Sequence, residues 1–424
     1  MRRGQPRRGS EPGASPESLA TDLAREIARE ARRTVGTVEG ALDAELFASW
    51  LVSTWSLPAG ELIDADPEEE IGLRVLRALE RAGDWRALAV LSAVAAVGTE
   101  RLASAARTAA DRLAAAGVGD PPWSDELGSM RGRCAAVVRD EVFDDAVNVL
   151  VEFERAGHDP YVVGVLIDHN LGGIAKDLLV GPTLGEYKEG MSQIPEGVSG
   201  TGLLCFEEMG LGEAAARCRE ALWRTEHTLD PPVSDDFDSQ VAAVAAHLGV
   251  LPDDGETYEP AEISDSQRQG ALDGFLASPE AEPFRGRDDS VDLATLAIDY
   301  CADYVEGEGR PLRWSPVVVE LFMTWFLPRR VVREGAFFER TVPEVLPAWV
   351  RYAGTARGIA EAATEEAVAA IAAFRDEMLA LVDDESAWGP GKALAAAARE
   401  ASVDLTDEAA LEAFIADYNA RLTA

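Results

Sequence analysis

The chain has 424 residues, 39 of them basic and 76 acidic, for a formal charge of −37, and 47% are hydrophobic. At about 150 residues per domain this length suggests two to three domains, and the apolar share is too high for a disordered chain of this charge. A surface this negative repels phosphate backbones, and no basic patch inside the fold offsets it, so nucleic acid is not an expected partner.

Residues 1–18 carry Arg2, Arg3, Arg7 and Arg8 among Gly, Pro and Ser, with no apolar stretch behind them. They read as a disordered Arg-rich tail, not a secretory signal. No apolar run approaches the roughly 20 residues of a membrane span. The four cysteines, Cys134, Cys205, Cys218 and Cys301, have no paired spacing, which argues against a zinc knuckle or a disulfide framework. The expected setting is cytoplasmic, without membrane contact. Lys176, Lys188 and Lys392 are the only lysines, and with the heavy use of Ala this points to a GC-rich genome of the actinobacterial kind.

Residues 19–120 read as a helical domain. Asp66-Pro67-Glu68-Glu69 carries a helix start, with an Asp cap, Pro at the first helical position and Glu closing a capping box. Ile71, Val75, Leu76 and Leu79 then repeat at helical spacing up to Gly83. Two more helices follow over 85–97 and 99–116.

Residues 121–251 change character and read as an α+β domain. The β-branched runs 147–153 and 161–168 flank Ala156-Gly157-His158-Asp159-Pro160, so they form a hairpin. Asn170-Leu171-Gly172-Gly173 makes a second turn, 174–180 a third strand, and Pro182 opens a helix. Both strand faces are apolar, which requires cover on both sides. Helices over 211–225 and 235–248 follow, the second capped by Ser234 and stopped by Gly249. Cys218 belongs to a core stripe with Leu211, Ala215 and Leu222.

Residues 252–262 have the acidic, Pro- and Gly-bearing composition of a linker. Residues 263–424 read as a helical domain with segments near 264–276, 290–304, 316–327, 343–353, 359–382, 392–401 and 407–422. Within it Val318, Leu321, Phe322 and Trp325 form one apolar stripe, read as core. Arg329, Arg330 and Arg333 are read as balancing nearby carboxylates. Glu45-Leu46-Phe47-Ala48-Ser49-Trp50 echoes Glu320-Leu321-Phe322-Met323-Thr324-Trp325, which fits either an internal helical repeat or chance similarity of amphipathic helices. The fold class is therefore mainly α with a small α+β insert.

The candidate site is Asp168, His169, Asn170, Gly172 and Gly173, with Lys176 and Asp177 downstream. A carboxylate and an imidazole at a strand end beside a glycine turn place a base, a donor and an open backbone next to a ligand. Glu152 and His158, on or near the same hairpin, could bring further groups to a divalent cation. The plainer reading has Asp168 and Asn170 satisfying turn amides and His169 bonding backbone. HExxH, GxxxxGK[ST], GxSxG and GxGxxG are all missing, Gly200-Thr201-Gly202 is too short to cradle phosphate, and four histidines do not suggest a multi-histidine metal centre. His247 near a helix end reads as a dipole partner.

Phe275-Leu276-Ala277-Ser278-Pro279, Arg313-Trp314-Ser315-Pro316, Trp325-Phe326-Leu327-Pro328-Arg329-Arg330, Leu346-Pro347-Ala348-Trp349-Val350 and Val165-Leu166-Ile167-Asp168-His169-Asn170-Leu171-Gly172 resemble segments of an uncharacterised actinobacterial protein family. The resemblance covers residues 140–350 in patches and implies no reaction, cofactor or site residue. The leading expectation is a binding protein without catalysis, with a protein or small-molecule partner seated in a groove between the helical and α+β parts. The alternative is a metal-assisted hydrolase using Asp168, His169 and Asp177.

Overall fold

Helix α1 (Pro16–Thr34) buries Ala20, Ala24, Ala28 and Ala31 at three- to four-residue spacing, a narrow face that lets neighbouring helices approach closely. The computed structural model describes every residue except 1–15, 63–70, 141, 193–203, 254–261, 307–309, 334, 402, 404–407 and 423–424. Pro16 starts the helix, so residues 16–18 belong to it and not to the tail; a Pro costs no hydrogen bond in a first helical turn. The rest of the tail, the Asp66–Glu69 start signal, Gly200-Thr201-Gly202 and most of the acidic linker lie outside the described residues.

Helices α2 (Ala41–Leu62), α3 (Leu73–Ala82), α4 (Trp85–Val97) and α5 (Glu100–Ala115) complete the first helical unit. Gly83, at φ 67°, ends α3 in the left-handed region, and the Asp84 carboxylate then accepts the Ala87 N–H at 2.9 Å to start α4. Helix α4 is buried nearly all round, from Ala87 to Val97, and forms the centre of this unit.

The middle of the chain is one antiparallel sheet of five strands in the order β4-β3-β2-β1-β5: β1 (Arg131–Asp140), β2 (Ala146–Glu154), β3 (Tyr161–Asp168), β4 (Ile174–Gly181) and β5 (Leu204–Met209). The expected hairpin and third strand are β2, β3 and β4, while β1 and β5 are additional. Their sequences hide them. Strand β1 is rich in small residues, Gly132, Cys134, Ala135 and Ala136, and β5 is a short edge strand carrying Glu207 and Glu208.

Helices α6 (Leu184–Ser192), α7 (Leu211–Glu226) and α8 (Phe237–Gly249) cover the sheet. One face packs Val149, Val151, Phe153, Val163 and Val165 against α7 and α8, with Cys218 in that core as expected. The other face carries Val138, Leu150 and Val162 against Leu184 and Tyr187 of α6. Ser234 does not cap α8, which starts after Asp236 without a side-chain cap. Its hydroxyl instead donates to Asp177 at 2.6 Å, drawn there by the main-chain pairing of Ser234 N–H with the Lys176 carbonyl on β4.

The C-terminal unit runs through α9 (Asp265–Ala277), α10 (Asp288–Tyr304), α11 (Pro316–Leu321), α12 (Leu327–Arg330), α13 (Val342–Arg357), α14 (Glu361–Asp383), α15 (Pro390–Glu400) and α16 (Glu408–Leu422). Ser264 forms the capping box of α9 with Gln267. The expected 316–327 helix is interrupted by a π-helical turn, Phe322–Phe326, and a second such turn, Phe337–Thr341, precedes α13. Pro328 and Pro343 follow these turns closely. Neither can donate to the carbonyl four residues back, and the wider turn relieves the ring clash. Val318 and Phe322 are core, as the apolar stripe requires, but Trp325 is 38% exposed. Arg333 pairs with Asp292 at 2.9 Å, whereas Arg329 and Arg330 lie over the rings of Trp325 and Tyr304 and pair with no carboxylate among the described residues. Glu45 is fully buried and Glu320 exposed, so the two halves of the sequence echo occupy different environments.

Candidate functional site

Two turns lie side by side at one end of the sheet, where Ala146 at the start of β2 pairs with Asp168 at the end of β3. In the β1–β2 turn the Asp140 carboxylate accepts the N–H groups of Val142 and Phe143 at 3.0 and 2.9 Å, and Asp144 adopts φ 57°. In the β3–β4 turn the Asp168 carboxylate accepts the Asn170 N–H at 2.9 Å, residues His169–Leu171 form a 3-10 turn, and Gly172 and Gly173 follow at φ 74° and 75°. The Gly173 N–H donates to the Asp168 carbonyl at 2.9 Å and closes the bend.

His169 is turned onto the neighbouring turn. Its backbone N–H donates to the Asp145 carbonyl at 3.0 Å, and its Nδ1 lies 2.9 Å from the Asp144 carbonyl, which requires the proton on Nδ1. The Asp144 carboxylate stands 3.4 Å from the same nitrogen. Asp168, His169 and Asn170 are all buried, at 7, 3 and 5% exposure, so the bend faces protein and not a cleft.

The chain beyond α10 covers it. Arg313 is completely buried and donates to four oxygens: the Glu306 carbonyl at 2.9 Å, the Phe143 carbonyl at 3.3 Å, Asp145 Oδ1 at 2.9 Å and Asn170 Oδ1 at 2.6 Å. A rigid guanidinium suits this task because its donors point in fixed directions to several acceptors at once. The Glu306 N–H donates to the His169 carbonyl at 2.7 Å, and the Glu306 carboxylate pairs with Arg224, which also donates to the Gly172 carbonyl at 2.7 Å. A Cβ on Gly173 would collide with the Glu306 carboxylate, so this glycine is required by close approach as well as by its φ. Behind this joint Cys301 donates to the Arg313 carbonyl at 3.4 Å, and burial pushes its thiol up to about 12.

Lys176 and Asp177 lie at the margin. Lys176 is half-exposed and donates to the Asp168 carboxylate at 2.8 Å, while Asp177 accepts from Ser234. Glu152 and His158 do not join them. Glu152 is six residues along β2 from Ala146, about 20 Å away at strand spacing, and accepts from Arg133 at 2.8 Å and from the Leu184 N–H at 2.9 Å. His158 sits in the turn at the opposite end of the sheet, 2.9 Å from Glu126. Among the described residues no three His, Cys, Asp or Glu side chains are grouped to hold a metal.

That opposite end carries a second buried joint, to the first helical unit. Glu45 of α2 pairs with Arg155 just beyond β2, and its other oxygen accepts the Gly128 N–H at 3.0 Å. Arg155 also donates to the Glu126 carbonyl at 3.2 Å and to the Tyr161 hydroxyl at 3.3 Å. The Tyr161 hydroxyl lies 2.9 Å from His247 Nε2, and His247 Nδ1 lies 2.7 Å from the Ala243 carbonyl. The carbonyl fixes the proton on Nδ1, so Nε2 accepts from Tyr161. Burial pulls the His247 pKa below its usual value, against the smaller opposing pull of the Ala243 carbonyl and Glu45. Burial also disfavours the Arg155 charge, but Glu45 and Tyr161 outweigh it and leave the guanidinium more firmly protonated than usual.

Arg313, Glu306, Arg224, Glu45 and Arg155 were not candidates from the sequence. An isolated Arg or Glu in a helical or loop context has no periodicity that separates a buried hub from a solvated side chain. Glu45 between apolar neighbours in α2 is the nearest thing to a signal.

No protein-family model matches the chain, and no curated protein and no solved structure matches it.

Proposed function

We propose that the protein acts in the cytoplasm by binding rather than by chemistry at the 168–173 bend, with the sheet serving as a connector that holds two helical units in fixed relation. The observation that carries this reading is the burial of the bend and the engagement of its side chains with protein: Asn170 Oδ1 accepts from Arg313, the Asp168 carboxylate accepts from the Asn170 N–H and Lys176, and His169 Nδ1 donates to the Asp144 carbonyl. A general base or metal ligand needs a lone pair open to a substrate, and Asp168, His169 and Asn170 are all buried. The partner is a protein or a small molecule held on the outer grooves of the helical units. Support for the setting comes from four free thiols and from the described helices, none of which is long and apolar enough to cross a membrane.

The test is a thermal-shift titration with Mg²⁺, Mn²⁺ and Zn²⁺ on the wild type and on Asp168→Asn. The binding reading expects no metal-dependent rise in midpoint that the substitution removes. A saturable rise lost in Asp168→Asn would overturn it in favour of metal-assisted hydrolysis.

A further inference from the structure

Two open grooves meet on the C-terminal unit at Arg340, which sits on the π-helical turn Phe337–Thr341 and lines both. The larger, 610 Å³, runs between α13 and α14; Pro343, Pro347, Val368 and Ile371 form its apolar lining, and Arg340, Arg351 and Arg375 are its cations. The smaller, 500 Å³, includes Arg333, Arg340 and Arg399 in its lining. Most carboxylates here already have partners. Asp289 accepts from Arg287 at 2.8 Å and from the Thr341 hydroxyl at 2.7 Å, and Asp292 pairs with Arg333 at 2.9 Å. Glu344 accepts from Arg287 at 2.9 Å, and Arg351 pairs with Glu365. The Arg287 pairing, followed by the Thr341 hydroxyl, holds the Asp289 carboxyl well below the usual carboxylate range.

Arg340, Arg375 and Arg399 are all exposed and none is hydrogen-bonded or ion-paired among the described residues; against them stand Glu339 and the one charge by which Asp289 and Glu344 exceed their shared partner Arg287. The balance over the grooves is therefore one positive charge, of opposite sign to the chain's −37. The overall field repels an extended polyanion such as a nucleic acid or a strongly acidic protein, whereas a small anion responds chiefly to charges within a Debye length, about 8 Å at physiological salt. Three guanidiniums spread over adjoining grooves match charge distributed along a short chain, and their forked donors suit phosphate oxygens. The groove volumes fall within the range of small-molecule sites, and an apolar lining beside the cations suits an organic moiety.

We infer that this surface binds an organic di- or triphosphate, its organic part on the Pro343–Ile371 side of the larger groove and its phosphate chain passing Arg340 towards Arg399. This names a ligand class for the binding reading above, which the metal titration tests separately. The experiment is isothermal calorimetry of the full chain with ADP, ATP and inorganic tripolyphosphate, for the wild type and for Arg340→Ala, Arg375→Ala and Arg399→Ala. Arg77→Ala on α3 is the control for loss of one exposed positive charge, and circular dichroism confirms that each variant is folded. The expected result is saturable binding of ADP or ATP tighter than that of tripolyphosphate, weakened about tenfold or more by Arg340→Ala, less by Arg375→Ala and Arg399→Ala, and unchanged in Arg77→Ala. No saturable binding at millimolar nucleotide, equal loss in Arg77→Ala and Arg340→Ala, or tripolyphosphate binding as tightly as the nucleotides would overturn the inference.

Discussion

The two ends of the sheet solve the same problem with different chemistry. At the end facing α2, a fully buried carboxylate and a buried guanidinium, Glu45 and Arg155, pair beside a histidine and a tyrosine. At the end facing α10, the buried guanidinium of Arg313 spends its donors on two carbonyls, an amide oxygen and the partly exposed carboxylate of Asp145. The first joint depends on one ion pair removed from water, and the second spreads its dependence over three neutral acceptors, the Asp145 carboxylate and the Arg224–Glu306 pair. A buried arginine is therefore held by a single carboxylate in one place and by a distributed set of mostly neutral acceptors in the other.

The sharpest break in this comparison is Glu45→Ala. It strands the Arg155 charge in the interior, for which a loss of about 3–5 kcal/mol is expected in chemical denaturation. Asn170→Ala removes one acceptor of four from Arg313 and is expected to cost about 1–3 kcal/mol by the same measurement. A loss from Asn170→Ala equal to that from Glu45→Ala would erase the distinction. Gly173→Ala should cost about 1–3 kcal/mol, from the left-handed backbone and the collision with Glu306, and Glu306→Ala should recover the steric part of that loss.

The pH response separates the ends further. The pKa of His247 is lowered in the folded protein from 6.5, so its contribution to stability is present above the unfolded value and is lost as pH falls below it towards the folded value. Glu45, Arg155 and Tyr161 are the titratable or charged groups facing it, Glu45 favouring the charged imidazole and Arg155 opposing it. The wild-type melting midpoint should therefore fall more steeply between about pH 7 and 5 than that of His247→Gln. Parallel profiles would place the acid sensitivity elsewhere. The smallest expected effect is that of Lys176→Ala. Lys176 is half-exposed and its bond to Asp168 is screened by solvent, so the loss should be within about 1 kcal/mol, a useful bound on what the rim of the bend contributes.

Strands β2, β3 and β4, most of the helices and the bend itself were legible because each rests on a local signal: β-branched runs, helical spacing, or a glycine pair after Asp-His-Asn. Strand β1 was not, since small residues such as Cys134, Ala135 and Ala136 show no alternation, nor was β5, a six-residue edge strand with two acids. The turn chemistry of Asp168 and the glycines was legible, but the cover over it was not. That cover comes from Glu306 and Arg313, more than 130 residues further along, and no local pattern announces a contact of that range. The two π-helical turns have no distinct sequence signal for a related reason: Pro328 and Pro343 mark a disturbance in the helix without specifying its form.

The most direct test of the joint at the bend is amide hydrogen exchange on wild type and Asn170→Ala. If the bend and the chain beyond α10 are locked together through Arg313, the Gly173 and Glu306 amides should lose protection together, while the Gly128 amide bonded to Glu45 at the other end keeps its own. Loss of protection at Gly173 with Glu306 unchanged would contradict the account.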